Sequence, residues 1–235
     1  QILAITFTNK AAREMAERVT AEVGGAARGM WVSTFHSSCV RILRREAKRL
    51  NMTTSFSIYD SADSQRLLTL VARDLDLDPK RYSARSLAVR ISNAKNELVD
   101  YEDFRRRAEQ PEELLLAAVY TEYQHRLLRA NAFDFDDLIG ATVALLQMFP
   151  DVAEHYHRRF RHILVDEYQD TNHAQYVLVK ELVGSGDDGV PPAQLCVVGD
   201  ADQSIYAFRG ATIRNIDSFA ADYADARRIL LEQNY

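Results

Sequence analysis

Ile163-Leu164-Val165-Asp166-Glu167-Tyr168-Gln169-Asp170-Thr171 drives an apolar strand straight into two acids and a polar turn. About thirty residues later Leu195-Cys196-Val197-Val198-Gly199-Asp200-Ala201-Asp202-Gln203-Ser204 repeats the design, with a Gly/Asp turn and an amide at its tip. Continuous apolar runs of this kind suit parallel strands covered on both faces, and such sheets collect ligands beyond the carboxyl ends of their strands. The two polar turns are therefore expected on one edge of an α/β sheet.

Composition bounds the answer. The chain has 235 residues, 47% of them hydrophobic and 27% charged, which is ordinary for one large or two modest globular domains. Cys39 and Cys196 lie far apart without metal-ligand spacing, which argues against a disulfide scaffold or a zinc site and fits a reducing, cytoplasmic location. Cys196, inside a strand, is expected in the core. No apolar stretch approaches the roughly twenty residues that span a bilayer, and residues 1–15 lack a signal-peptide pattern, so no membrane partner is expected. The net charge of −5 is unevenly spread. Positive clusters fall at Arg41, Arg44, Arg45, Lys48 and Arg49, at Arg105 to Arg107, and at Arg158, Arg159 and Arg161. An acidic pole beside a basic groove is compatible with that total, although any one cluster also fits a solvated helix face.

Along the chain, residues 2–7 form a strand pattern, Thr8-Asn9 a helix cap, and residues through Val19 a helix with Ala11, Met15 and Val19 on one face. A second strand runs from Met30 into Phe35. Helical spacing then dominates, with starts at Ser61, Ser86, Pro111 and Asp134. This predicts an inserted all-helical subdomain over 38–158 between two parts, 1–37 and 159–235, of an α/β core. Strand 162–166, helix 172–183, strand 194–199, a helix near 213–221 and strand 228–232 restore the alternation. The glycine-rich stretch 184–192 is expected to be a mobile surface loop.

The turns carry the chemistry. Asp166 has the hard oxygen donors that Mg²⁺ prefers, and Glu167 follows it where an attacking water would be oriented or deprotonated. Gln203 can reach a terminal phosphate through its amide. Three aromatic sites follow strands: Phe7 with Asn9 and Lys10, Phe35 with His36 next to Thr34, and Tyr206 with Phe208 and Arg209. Rings beside polar and basic groups suit single-stranded nucleic acid, because bases stack on them with little sequence preference. Singly, each aromatic also fits a core position. His36 has no nucleophile motif beside it, so a phosphate or neighbouring-turn contact suits it better than catalysis, and His155, His157, His162 and His173 lack ligand spacing and are expected to be structural or on the surface.

Together these residues resemble the UvrD/PcrA/Rep group of superfamily 1 DNA helicases. Thr6 to Ala12 is similar to the group's first single-strand contact motif, Ser33 to His36 to the next, Asp166 to Thr171 to its Walker B segment, Gly199 to Gly210 to its coupling motif, and Leu231 to Tyr235 to the start of its fourth motif. The resemblance implies an incomplete RecA-like parallel sheet of the P-loop NTPase type. It also implies ATP and Mg²⁺ as ligands, with Asp166 on the metal, Glu167 on the water, Gln203 sensing the γ-phosphate and Tyr235 stacking on adenine. Phe7, Asn9, Lys10, Thr34, His36, Tyr206, Phe208 and Arg209 would line a single-stranded DNA path, and the helical insertion would lie over the duplex junction with its basic clusters near phosphates. The expected activity of the parent is ATP-driven translocation, 3′ to 5′, with unwinding in DNA repair, alongside DNA repair proteins as partners.

The sequence departs from that pattern in one large respect, for no Gly-x-x-x-x-Gly-Lys-Ser/Thr occurs and none of Lys10, Lys48, Lys80, Lys95 and Lys180 follows a glycine. That loop cradles phosphates in such enzymes. The chain is thus expected to be an internal fragment that hydrolyses little ATP by itself. Two alternatives stand beside it: the helicase module of a recombination nuclease, and a DNA-binding or docking module that does not hydrolyse.

Overall fold

In a computed structural model, which describes residues 1–200, 219 and 221–229, the chain alternates strands and helices before and after a helix-rich insertion. The elements are β1 (Ile2–Thr6), α1 (Asn9–Val23), β2 (Trp31–Thr34), α2 (Phe35–Glu46), β3 (Ser57–Tyr59), α3 (Ser61–Asp74), α4 (Ala84–Asn96), α5 (Tyr101–Arg107), α6 (Pro111–Arg129), β4 (Ala132–Asp134), α7 (Phe135–Met148), α8 (Pro150–Arg159), β5 (His162–Val165), α9 (His173–Val183) and β6 (Gln194–Val197). Four strands form a parallel sheet in the order β2-β1-β5-β6, pairing Leu3 with Trp31, Leu3 with Ile163, and Ile163 with Leu195. Every strand of the sheet therefore points its carboxyl end toward the same edge, as the apolar runs required.

Helix starts are written in the sequence. Thr8 caps α1 by accepting from the Ala11 N–H, Thr34 caps α2 by accepting from Ser37, and Asp134 and Asn172 close capping boxes on α7 and α9. On α2 the buried positions are Phe35, Ser38, Cys39, Ile42 and Leu43, one stripe of the helix. Each large apolar side chain so buried contributes about 1.5–3 kcal/mol.

Two hydrophobic cores result. The first joins Leu3, Ile5, Phe35, Ile42, Leu146, Tyr156, Ile163 and Val179; the second joins Leu68, Val71, Leu87, Ile91, Val119, Tyr123 and Leu127. The division between them does not fall at 38 and 158. Helices α2, α7 and α8 pack with the sheet, and the second core is confined to 68–132. Nor is the insertion all-helical: β3 and β4 pair as a parallel ribbon, Ser57 with Ala132 through Tyr59 with Asp134, where the chain leaves and re-enters the first core. At that seam Lys95 Nζ, almost fully buried, donates to Asp134 Oδ2 and to Asp137 Oδ1, both at 2.7 Å. The Tyr123 hydroxyl donates to Asp134 Oδ2 at 2.9 Å, and Gln124 Nε2 donates to Asp137 at 3.1 Å.

Three further expectations are corrected. Cys196 is exposed, as are Leu164 and Val198 at 40% and 49%, so among the described residues one face of β5 and β6 is not covered; Cys39 is the core cysteine, and burial pushes its thiol up to about 12. The 184–192 loop is anchored rather than loose: Asp188 Oδ2 lies 2.6 Å from His157 Nδ1, and Arg161 donates to the carbonyls of Pro191 and Pro192. Phe35 is 1% exposed, packed edge-on beneath Phe7 at 5.6 Å, and offers no stacking face. The helix near 213–221 and the strand 228–232 lie largely outside the described residues.

Candidate functional site

Two polar constellations stand at the carboxyl edge of the sheet. The first is the acid turn after β5. The Asp166 N–H donates to the Ile5 carbonyl at 2.9 Å, which locks the end of β5 to β1, and the chain then turns through Glu167 at φ +52°. A left-handed backbone is uncommon outside glycine and marks a position the surroundings must enforce. Here they do: the Tyr168 N–H donates to the Val198 carbonyl at 2.9 Å, and the Thr171 hydroxyl donates to the Tyr168 carbonyl at 2.7 Å. Tyr168 is buried against Phe219. The start of the second turn thus lies against the first, at the one sheet edge where both were expected.

This arrangement leaves Asp166 half-buried and Glu167 exposed. Burial raises the Asp166 carboxyl above its usual range and the neighbouring Glu167 charge adds to it, against a hydrogen bond from the Glu167 backbone. Among the described residues no Lys or Arg pairs with either acid, and no cluster of three or more His, Cys, Asp or Glu could cage a metal. A carboxylate pair without a protein cation suits a hard divalent ion that brings phosphate oxygens and water as its remaining ligands, since Mg²⁺ is commonly bound through one or two carboxylates only. The residues present therefore fit Mg²⁺ at Asp166.

The second constellation is a cleft of about 1190 Å³ between the two cores. It gathers Phe7, Asn9, Thr34 and His36 from the ends of β1 and β2. Phe7 is half-buried, and Asn9 is exposed at the start of α1. The Thr34 hydroxyl is committed to its cap, accepting from the Ser37 N–H at 3.2 Å and donating to Ser37 Oγ at 2.9 Å. His36 packs edge-on against Phe135 at 5.5 Å, and burial holds its imidazole below the usual 6.5. Lys10 does not line the cleft; its ammonium is exposed and lies 3.8 Å from Glu14.

Tyr59, Arg85, Asn96, Phe135 and Asp136, which the sequence did not single out, also line the cleft. Phe135 is 47% exposed at the first position of α7, held there by the Asp134 cap. The only signal for it was an aromatic set between acids just after a capping aspartate. Burial pushes the Asp136 carboxyl up to about 6, with the Asp134 charge adding to that. A polar contact ties the two constellations together: Asn172, which caps α9 directly after the acid turn, donates from Nδ2 to Asn96 Oδ1 at 2.8 Å.

The basic clusters are mostly engaged locally. Arg41 and Arg159 stack on Trp31 at 3.9 and 4.9 Å, Arg44 covers Phe56 at 4.0 Å, Arg49 pairs with Asp151, and Arg158 pairs with Glu154. Of the other expected site residues, Gln203, Tyr206, Phe208, Arg209 and Tyr235 lie outside the described residues.

Residues 1–224 match the family model described as UvrD/REP helicase N-terminal domain. Over 240 aligned residues the chain is 66% identical to a Mycobacterium tuberculosis protein named ATP-dependent DNA helicase UvrD1. Over 244 it is 62% identical to the Mycobacterium leprae protein of that name, and over 234 it is 51% identical to ATP-dependent DNA helicase PcrA of Bacillus subtilis. Each alignment takes in 100% of this chain and 31% of the relative, so the chain spans about a third of the length of the proteins it matches. No helix of the described residues is long and apolar enough to cross a membrane.

Proposed function

We propose, from the premise that this chain belongs to the UvrD/REP helicase family, that it works within an ATP-dependent DNA helicase, supplying the metal-and-water side of the ATPase site and one wall of the single-strand path. The observation that carries this is the meeting of an acid turn, paired with no protein cation among the described residues, with an aromatic cleft at the same sheet edge. The relatives' names support it, since each is an ATP-dependent DNA helicase.

In this proposal Asp166 holds Mg²⁺, which when bound neutralises charge on phosphate oxygens. Glu167, exposed and directed by its left-handed turn, orients the attacking water and accepts its proton. Gln203 follows Asp200 closely in sequence and is assigned to the γ-phosphate, and Tyr235 to the adenine. Phe7 and Phe135, which line the same cleft, stack against bases, and Asn9, His36 and Arg85 contact backbone or base edges. Tyr206, Phe208 and Arg209 continue the path, movement runs 3′ to 5′, and the setting is DNA repair. Phosphoryl transfer asks the protein chiefly for positioning and charge neutralisation, which is what these groups provide.

The test is ATP turnover and duplex unwinding by the helicase that carries this chain, with Glu167→Gln as the comparison. Loss of both, with single-strand binding retained, is expected; intact turnover in Glu167→Gln would refute the assignment.

A further inference from the structure

An exposed glutamate in a left-handed turn orients a water only if something holds its own carboxylate. In this chain that group is Gln169. Its side chain is 2% exposed and spans the two polar turns: Nε2 donates to Glu167 Oε2 at 2.7 Å, while Oε1 accepts from the Asp200 N–H at 3.0 Å. The chemistry fixes which end is which, because only the amide nitrogen can donate to a carboxylate and only the amide oxygen can accept from an N–H. Gly199 makes the fit feasible. A Cβ there would lie 2.7 Å from Gln169 Oε1, well inside van der Waals contact, so the second turn approaches the amide only because residue 199 has no side chain.

The backbone of the acid turn has its own supports, Tyr168 N–H on Val198 and the Thr171 hydroxyl on Tyr168, neither of which uses the Gln169 side chain. The amide is thus not needed to close the turn. Its two bonds instead set the direction of the Glu167 carboxylate and the distance between the turns. Methionine has similar length but can make neither bond, and glutamate would set a carboxylate against a carboxylate.

We propose that Gln169 is a positioning residue for hydrolysis: its amide holds the Glu167 carboxylate in the orientation that directs the attacking water, and braces it against the Gly199–Asp200 turn. This rests on the assignment of Glu167 to the water. It makes Gly199 part of the same device, since a methyl group at 199 meets the amide oxygen first, at 2.7 Å, and the Gln169 and Tyr168 backbone nitrogens next, at 3.2 and 3.3 Å, so Gln169→Met is the variant that isolates the amide.

The test is steady-state ATP hydrolysis at saturating single-stranded DNA by the full-length helicase carrying this chain. Gln169→Met, Gln169→Glu and Gly199→Ala are compared, each alone and combined with Glu167→Gln, and nucleotide affinity is read from a fluorescent ATP analogue. A positioning role lowers kcat by about 10–100-fold in the three single variants, keeps KM and analogue affinity within about twofold, and gives no further loss in the Glu167→Gln background. A kcat within about twofold of the parent in Gln169→Met, with Glu167→Gln inactive, overturns the role of Gln169 and leaves that of Glu167 standing. Persistent turnover in Glu167→Gln overturns the underlying assignment instead. Loss of kcat that comes with equal loss of analogue affinity and of thermal stability in all three variants marks a structural residue and overturns the proposal.

Discussion

Asp134 with Asp137, and Asp166 with Glu167, are both carboxylate pairs at the carboxyl end of a strand, yet the molecule treats them in opposite ways. The first pair is buried around Lys95 Nζ, with the Tyr123 hydroxyl donating to the same Asp134 Oδ2 and Gln124 Nε2 donating to both oxygens of Asp137. Burial alone would raise Asp134, but the lysine, the Asp137 backbone N–H and the Tyr123 hydroxyl hold it below its usual range. The Lys95 ammonium is held well above its ordinary value by the two carboxylates, although burial pulls it the other way. In the second pair the Gln169 amide donates to Glu167 and the Glu167 backbone N–H to Asp166, and no cation pairs with either among the described residues. Acids supplied with a lysine close a seam between two cores, and acids left without one can serve a cation that arrives with the substrate.

The largest effect that would break this comparison is catalytic. Glu167→Gln is expected to lower ATP turnover by the parent helicase by about 10²–10⁴-fold, the usual worth of a general base, with little change in melting temperature. Lys95→Met should do the reverse. It leaves two buried carboxylates without their cation and should cost about 3–5 kcal/mol in urea unfolding, while the acid turn stays intact. If Lys95→Met proved neutral, the seam would not be held by this ion pair.

Smaller effects sharpen the picture of the cleft. Phe135→Ala should weaken single-stranded DNA binding by about 1–3 kcal/mol, measured by titration at fixed salt, because the ring is 47% exposed and lines the same cleft as Phe7. The smallest concerns pH. Burial keeps the folded pKa of His36 below 6.5, so an unfolded chain takes up that proton first as pH falls. Stability from the neutral imidazole is present above 6.5 and lost below it. His36→Gln should therefore flatten the decline in melting temperature between about pH 7 and pH 5.

Much of the sheet was legible because its signal is physical and local. Apolar runs such as Ile163 to Val165 ending in acids admit few other readings, and adjacent parallel strands must bring their terminal turns together. The expected placement of Phe7, Asn9, Thr34 and His36 at one edge followed from the same logic, and they share one cleft. What the sequence concealed is which core a helix faces. The apolar stripes of α2, α7 and α8 look like those of the insertion, and only packing shows that they belong with the sheet. The three-residue strands β3 and β4 are too short to show a period. Exposed Phe135 and buried Gln169 carry no pattern either, because whether an aromatic is covered, or an amide bridges two turns, depends on partners distant in sequence.

The most direct test of the central claim, that the acid turn does chemistry while the neighbouring cleft holds DNA, is fluorescence anisotropy of a labelled single strand with this chain across a salt series, comparing Phe7→Ala and Glu167→Gln. Salt-sensitive binding that Phe7→Ala weakens and Glu167→Gln leaves unchanged is the predicted result. Equal loss in both variants, or no binding by a chain verified as folded, would contradict it.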